Sequence, residues 1–131
     1  MRALLDTSVV VRYLTGDPPD LLPSSIRQIE RGEDLVVTDV VIAETAHVLM
    51  SYYGASRSEV VEHLSSLLQR RNLEVLNLPK QLVLGALARC QPSGRVSIPD
   101  ALIWAVARAE ELPVYTFDRR FPADEVTVLP P

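Results

Sequence analysis

Short apolar strands alternate with helix-forming segments along the whole chain, and this alternation restricts the possible folds more than any other feature. Five segments are typical of strands: residues 2–5, 34–38, 73–78, 113–117 and 125–129. Apolar residues at helical spacing fill the stretches between them. Strands that alternate with helices form a mainly parallel sheet, with helices packed on both faces. We therefore predict a three-layer α/β/α domain with a central five-stranded sheet.

Capping and turn residues predict where most helices begin and end. Residues 8–14 are ambiguous, because three consecutive valines favour a strand whereas Thr7 or Ser8 could cap a helix. Later helices are expected to begin at Thr38 or Asp39, at Ser56 or Ser58, and at Ser97. Gly32 is predicted to end the second helix, and the segment QPSGR at residues 91–95 is predicted to be a loop.

Length and composition exclude several classes of protein. A chain of 131 residues that is 47% hydrophobic predicts one domain, residues 1–131, with its own core. Apolar runs are far shorter than the roughly 18–20 residues of a membrane span, and the N-terminus lacks the layout of a signal peptide. The single cysteine, Cys90, allows no internal disulfide, so a cytoplasmic location is expected. A net charge of −4 argues against nucleic-acid binding through bulk charge.

Four acidic residues fall where parallel strands end or where the next helix begins. Asp6 follows the first strand, Asp118 follows the fourth, and Asp100 lies in the first turn of a helix. Glu44 lies about 7–8 Å along the helix that follows the second strand, at about 1.5 Å per residue. All four should therefore reach the carboxyl edge of the sheet, where α/β proteins bind ligands. Such a cluster repels itself without a cation and provides hard oxygen ligands for Mg²⁺ or Mn²⁺.

Each acid also has an ordinary structural explanation. Asp100 in SIPD could complete a capping box, and Asp118 in TFDRRF could be a turn residue beside Arg119. Glu44 is flanked by apolar residues, and a charge directly after a short buried strand is unexpected at Asp6. The four acids together favour a site more strongly than any one of them does.

Three ordered segments carry a family resemblance: LLDTSVVVRYL, VVTDVVIAETAHVL and IPDALIWAVARAEELPVYTFDRRF. They resemble the PIN-domain ribonucleases and, among these, the VapC-like toxins of bacterial toxin–antitoxin pairs. The metal-holding acids of that family match Asp6, Glu44, Asp100 and Asp118. The family's hydroxyl residues match Thr7 and Thr116.

This resemblance implies hydrolysis of RNA by water, assisted by Mg²⁺ or Mn²⁺, leaving a 5′-phosphate and a 3′-hydroxyl. Asp6 and Asp100 would be the core metal ligands, and Asp118 would hold a second metal or a metal-bound water. Glu44 would orient or deprotonate the attacking water. Thr7 and Thr116 would position carboxylates or contact phosphate.

Other residues could take part by position. Arg119 and Arg120 are the best placed of four arginines that could contact phosphate, the others being Arg12 and Arg95. His47 could act as a general base but is more often an ordinary helix residue in such a position.

The resemblance further implies a cognate antitoxin as partner, covering an apolar groove around residues 10–30 and 40–70. A homodimer is also expected, since the apolar stripe Val60, Val61, Leu64, Leu67 and Leu68 lies next to the apolar 40–50 helix.

Other functions remain open at this point. A housekeeping RNA-processing nuclease would need the same acids. A haloacid-dehalogenase-type phosphatase would need a second Asp where Ser8 stands and a late Lys, whereas the one lysine is Lys80. A non-catalytic module could use the acids only to bind a basic partner.

Overall fold

Strands and helices alternate through residues 2–31, 34–90 and 95–131, which the computed structural model describes. The strands are β1 (Ala3–Leu5), β2 (Leu35–Thr38), β3 (Leu73–Leu76), β4 (Val114–Tyr115) and β5 (Val128–Leu129). The helices are α1 (Thr7–Thr15), α2 (Leu22–Glu30), α3 (Asp39–Ser51), α4 (Arg57–Leu68), α5 (Lys80–Cys90) and α6 (Ile98–Ala109), with a short 3-10 turn at Pro19–Leu21.

The five strands form one sheet in the order β3-β2-β1-β4-β5. Every neighbouring pair is parallel, which confirms the predicted sheet and makes it fully rather than mainly parallel. The chain builds outward from β1 in one direction with β2 and β3, and in the other with β4 and β5. The strand order thus reverses between β1 and β4, which is where open α/β sheets place their ligand sites.

The ambiguous segment after β1 is a helix. Helix α1 covers residues 7–15, and the residue that caps its start is Asp6, not Thr7 or Ser8 as predicted. The valines Val9, Val10 and Val11 are at most 3% exposed, so burial against the sheet outweighs their strand propensity. Gly16 ends the helix in the left-handed conformation, with its N–H bonded to the carbonyl of Arg12.

The other predicted helix starts are resolved by side-chain hydrogen bonds. Thr38, rather than Asp39, caps α3 by accepting from the N–H of Val41. Ser56, rather than Ser58, caps α4, because it forms a reciprocal capping box with Glu59. Ser97 caps α6 as predicted.

The last two strands are shorter than the sequence predicted. Residues 113–117 contribute only Val114–Tyr115, and residues 125–129 contribute only Val128–Leu129. Glu125 has a φ of 59°, in the left-handed region, so it belongs to the turn that precedes β5 rather than to the strand. The predicted helix end at Gly32 and residues 91–94 of the predicted loop lie outside the described residues.

The apolar stripe of α4 is largely satisfied within the molecule. Val60, Leu64 and Leu67 are at most 8% exposed, whereas Val61 is 58% exposed. Val60 and Leu64 pack with Leu49 of α3. The stripe is therefore mostly core, and it no longer supports a homodimer in the way the sequence suggested.

None of the described helices is both long and apolar enough to cross a membrane.

Candidate active site

The carboxylate of Asp6 lies at the end of the central strand β1 and is only 3% exposed. Its Oδ2 atom accepts hydrogen bonds from the hydroxyls of Thr116, at 2.6 Å, and Ser8, at 3.0 Å. Its Oδ1 atom is buried and has no hydrogen-bond partner. A buried carboxylate oxygen without a donor is costly, so this atom is the strongest structural indication of a ligand-binding site.

Two hydroxyls tie Asp6 to the neighbouring strand. Thr116 also accepts from the N–H of Asp118 at 2.9 Å, and Ser8 accepts from the N–H of Phe117 at 3.0 Å. Each hydroxyl therefore donates to the carboxylate and accepts from the chain that leaves β4. The network holds Asp6 in one orientation. It also joins the end of β1 to the end of β4, the two strands between which the strand order reverses.

The sequence predicts that Thr116 positions a carboxylate or contacts phosphate, but it does not predict the role of Ser8. From the sequence, Ser8 is only a possible helix cap. It also stands where a haloacid-dehalogenase-type phosphatase would have its second aspartate. Its position two residues after Asp6, on the first turn of α1, was the available signal. The partners from β4 lie more than 100 residues away in sequence, so local patterns do not reveal them.

Glu44 lies half-buried on α3 and is held by Thr7. The Thr7 hydroxyl donates to Oε1 of Glu44. Burial raises the pKa of Glu44, the Thr7 hydrogen bond lowers it, and the negative charge of Asp6 raises it further. The predicted pairing of a hydroxyl after Asp6 with a site carboxylate is present in this contact.

Asp100 is both a capping residue and a member of the acidic cluster. Its backbone N–H donates to the Ser97 hydroxyl at 3.2 Å, which caps α6. Its pKa is raised to about 6, first by burial and then by the charges of Asp6, Asp118 and Glu44. The two explanations offered by the sequence therefore apply to different parts of one residue: the backbone caps the helix and the carboxylate faces the other acids.

Asp118 also combines a turn with a place in the cluster. Its Oδ1 atom accepts from the N–H of Arg120 at 2.9 Å, as in a common aspartate turn. The Arg120 Nε atom lies 4.0 Å from the same oxygen, on a side chain that is 92% exposed. Arg119 is also exposed. Both arginines therefore lie at the acidic edge, as predicted.

Two other predicted participants lie elsewhere or make ordinary contacts. Arg12 is in the last turn of α1, at the end away from Asp6. His47 is exposed on α3, where its Nδ1 atom lies 3.4 Å from the Ser51 hydroxyl. Neither observation indicates a catalytic role.

The four acids repel one another in the protein without metal. Burial raises the pKa of Asp6, the hydrogen bonds from Thr116 and Ser8 oppose this, and the charge of Asp118 adds to the rise. A carboxyl group whose pKa is raised by burial and by neighbouring anions is destabilised in its charged form. A divalent cation would remove this penalty.

The residues fit a divalent cation by their chemistry. Mg²⁺ and Mn²⁺ prefer carboxylate oxygens, and the buried Oδ1 of Asp6 has none of its usual partners. Within the part of the chain that the structure describes, no three acidic, histidine or cysteine side chains already converge at the spacing of metal ligands. Asp6, Asp100 and Asp118 are the residues that would hold such a cation.

Known structures share this architecture. VapC20 of Mycobacterium tuberculosis, a toxin that cleaves the sarcin–ricin loop, is 19% identical and aligns with a TM-score of 0.79 over 98% of this chain and 99% of its own. VapBC2 of Rickettsia felis, solved with a promoter DNA fragment, is 17% identical with a TM-score of 0.71, covering 99% of this chain and 98% of its own. FitAcB of Neisseria gonorrhoeae is 20% identical with a TM-score of 0.65, covering 98% and 96%.

The sequence itself matches a family model over nearly its whole length. No curated protein gives a significant match. The model of the PIN domain matches residues 3–124, a range that includes all four clustered acids and both hydroxyls that hold Asp6. This match, together with the fold and the acidic edge at the end of β1, shows that the chain belongs to the PIN domain family.

Proposed function

We propose that this PIN domain is a metal-dependent endoribonuclease and the toxin of a toxin–antitoxin pair. The observation that carries the proposal is the buried carboxylate of Asp6, which is fixed by two hydroxyls, has one unpartnered oxygen and is surrounded by three further acids. The naming of VapC20 as a toxin that cleaves the sarcin–ricin loop supports this function for a chain with the same fold. Membership of the PIN family removes the support for a haloacid-dehalogenase-type phosphatase.

The protein's own residues would prepare the reaction. Asp6 and Asp100 would hold Mg²⁺ or Mn²⁺, with Asp118 as the further ligand. The bound cation would supply positive charge beside the scissile phosphate and acidify water. Glu44, whose raised pKa makes it a better proton acceptor, would orient the attacking water and take its proton. The water oxygen would bond to phosphorus as the bond to the 3′ oxygen breaks, and the departing 3′ oxygen would take a proton from solvent. The products are a 5′-phosphate and a 3′-hydroxyl.

The hydroxyls and arginines would position these groups. Thr116 and Ser8 keep Oδ2 of Asp6 occupied, so that Oδ1 is the atom left for the cation. Thr7 holds the Glu44 carboxylate in one orientation. Arg119 and Arg120 lie at the same edge and would contact the phosphate backbone. A cytoplasmic location, as expected from the sequence, is part of this proposal.

Removing one acid tests the metal site. We expect Asp6→Asn and Asp100→Asn to be as stable as wild type without metal, or more stable, because each removes a repulsive charge. Mn²⁺ should raise the wild-type melting temperature, since a ligand that binds only the native state stabilises it, by about 2.7 kcal/mol at 100 times its Kd. The variants should lose most of this rise and cleave total RNA at least about 100-fold more slowly. Thermal melts with and without Mn²⁺ and a cleavage assay provide the measurements.

Glu62→Gln is the matched control, because Glu62 is an exposed acid on α4. It should keep both the Mn²⁺ response and the activity. An unchanged Mn²⁺ response in Asp6→Asn, with cleavage intact, would show that Asp6 is only a strand-end residue. A wild type without any Mn²⁺ response that depends on these carboxylates, and without RNA cleavage, would instead favour a non-catalytic module.

The raised pKa of Asp100, about 6 against an ordinary 3.8, predicts a pH dependence of metal-free stability. Below pH 4 Asp100 is protonated in both the folded and unfolded states, and it contributes no difference. Between about pH 4 and pH 6 the folded state binds more protons than the unfolded state, so the free energy of unfolding falls as the pH rises. Well above pH 6 Asp100 is ionised in both states, and the free energy of unfolding no longer falls through this group. Urea denaturation in EDTA at pH 4, 5, 6 and 7 should show wild type losing stability relative to Asp100→Asn, and a constant difference would contradict the shift.

An antitoxin partner would use a groove and the acidic edge together. Tyr13 and Leu14 of α1, Ile26 of α2 and Leu67 of α4 line a groove of about 500 Å³, within the region that the sequence predicted. The unneutralised acids would attract a basic side chain of the partner. Changing Asp6, Asp100 and Asp118 together to Asn should weaken binding of the antitoxin encoded beside this gene by about 2 kcal/mol or more.

Isothermal titration of that antitoxin separates the two contacts. Ile26→Asp, at a position 39% exposed, should weaken binding through the groove alone. Equal binding by wild type and the triple variant would show that insertion among the acids is not the main attachment. A neighbouring gene with no antitoxin-like product would favour the housekeeping nuclease.

We also propose that the protein is a homodimer. The large apolar side chains that stay exposed include Val61 of α4 and Leu84 and Leu87 of α5, at 58%, 55% and 43%. Such side chains favour association when they form one surface. Light scattering at tens of micromolar should give the mass of two chains, and Leu84→Glu or Val61→Glu should identify the face by producing a monomer. A monomeric wild type would refute the dimer.

A further inference from the structure

A pocket of about 600 Å³ opens directly beside the acidic edge. It shares two residues with the site, Thr116 and Asp118. The remaining wall is mostly apolar and is formed by the segment after β4 and by the end of the chain, including Phe117, Phe121, Val128 and Leu129. Its volume lies within the range of about 300–1,000 Å³ that is typical of small-molecule sites.

The pocket has one cation, Arg119, and this cation is not engaged by the cluster. The Asp118 carboxylate is contacted by Arg120 instead, through its backbone N–H and its Nε atom. No described carboxylate forms an ion pair with Arg119. An unpaired guanidinium in the wall of a mostly apolar pocket is complementary to a ligand with an anionic group attached to a flat apolar body.

An aromatic side chain gives the apolar wall a further property. Phe117 is half-buried, and its backbone N–H is held by the Ser8 hydroxyl at 3.0 Å. Its backbone is thus fixed by the same network that orients Asp6. Aromatic rings that line nucleic-acid sites stack on bases without reading their edges.

We propose that this pocket receives the base and ribose of one nucleotide next to the scissile phosphate, with Phe117 stacking on the base and Arg119 contacting the adjoining phosphate. The proposal deepens the proposed ribonuclease function and rests on it. The pocket is lined by Thr116 and Asp118 of the site, so the nucleotide would lie beside these two residues. Because a purine has a larger ring surface to stack on Phe117 than a pyrimidine has, purines should be preferred at this one position.

Mapping the cleavage sites tests the pocket in the intact protein. Wild type with Mn²⁺ is incubated with a random-sequence single-stranded RNA library, and the new 5′ ends are sequenced. Wild type should favour a purine at one position beside the cut. Ala123→Trp, which places a large ring at an exposed alanine of the pocket, and Phe117→Ala should both remove this preference. Ala109→Trp is the matched control, since Ala109 is an exposed alanine at the far end of α6 from Asp100, and it should keep the preference.

A binding measurement separates the pocket from the catalytic proposal. In EDTA, purine nucleoside 5′-monophosphates should bind wild type about tenfold more tightly than ribose 5-phosphate, which lacks the base. Phe117→Ala should abolish this difference, and Arg119→Ala should weaken both ligands.

Each outcome decides one of the two proposals. Cleavage with the same base preference in wild type, Ala123→Trp and Phe117→Ala would overturn the pocket and leave the nuclease intact. Absence of any RNA cleavage would overturn the nuclease. The monophosphate titration alone would then decide whether the pocket binds a nucleotide. Equal binding of nucleoside monophosphate and ribose 5-phosphate would refute the proposal that the pocket binds a base, and it would favour a protein partner at the apolar wall.

Discussion

The rest of the site depends on the hydrogen bonds that the hydroxyls of Thr116 and Ser8 donate to the buried carboxylate of Asp6. They occupy Oδ2 and leave Oδ1 buried without a partner. Since a buried charge without compensation is strongly unfavourable, the fold stabilises one half of the carboxylate and leaves the other half for a ligand. The same hydroxyls accept from the chain that leaves β4, so this network also aligns the two strands between which the sheet order reverses.

The cluster is unfavourable for stability in the absence of metal, and this is consistent with a binding role. The pKa values of Asp6, Glu44 and Asp100 are all raised, by burial first and by their mutual charges as well. Carboxylates whose only role was structural would be paired with cations. Here Asp118 lies 4.0 Å from Arg120, whose side chain is 92% exposed, so this ion pair is largely screened by solvent. Perturbed acids at a ligand-binding edge are typical of functional sites.

A net charge of −4 is unusual for a protein that is proposed to bind RNA. Affinity for the phosphate backbone then has to come from local charge, because the overall field repels a polyanion. Arg119 and a cation held by the acids would provide this local charge, and the apolar pocket would add stacking that does not depend on charge. The acidic edge that disfavours RNA without metal would also attract a basic side chain of the proposed antitoxin, so one feature would serve both the proposed activity and its proposed inhibition.

Local sequence patterns were enough to predict the fold class, a mainly parallel five-stranded sheet and the four acids that we propose for the site. Each of these follows from local patterns: strand and helix periodicity, and acids that directly follow a strand or open a helix. The helix at residues 8–14 follows only from the tertiary structure. Val9 and Val10 are buried in the core, and the stabilisation from this burial outweighs the strand propensity of valine. The role of Ser8 and the pocket beside Asp118 also become visible only in the tertiary structure. Ser8 and its partner Phe117 are 109 residues apart, and the parallel pairing of β1 with β4 brings them together, which no local pattern encodes.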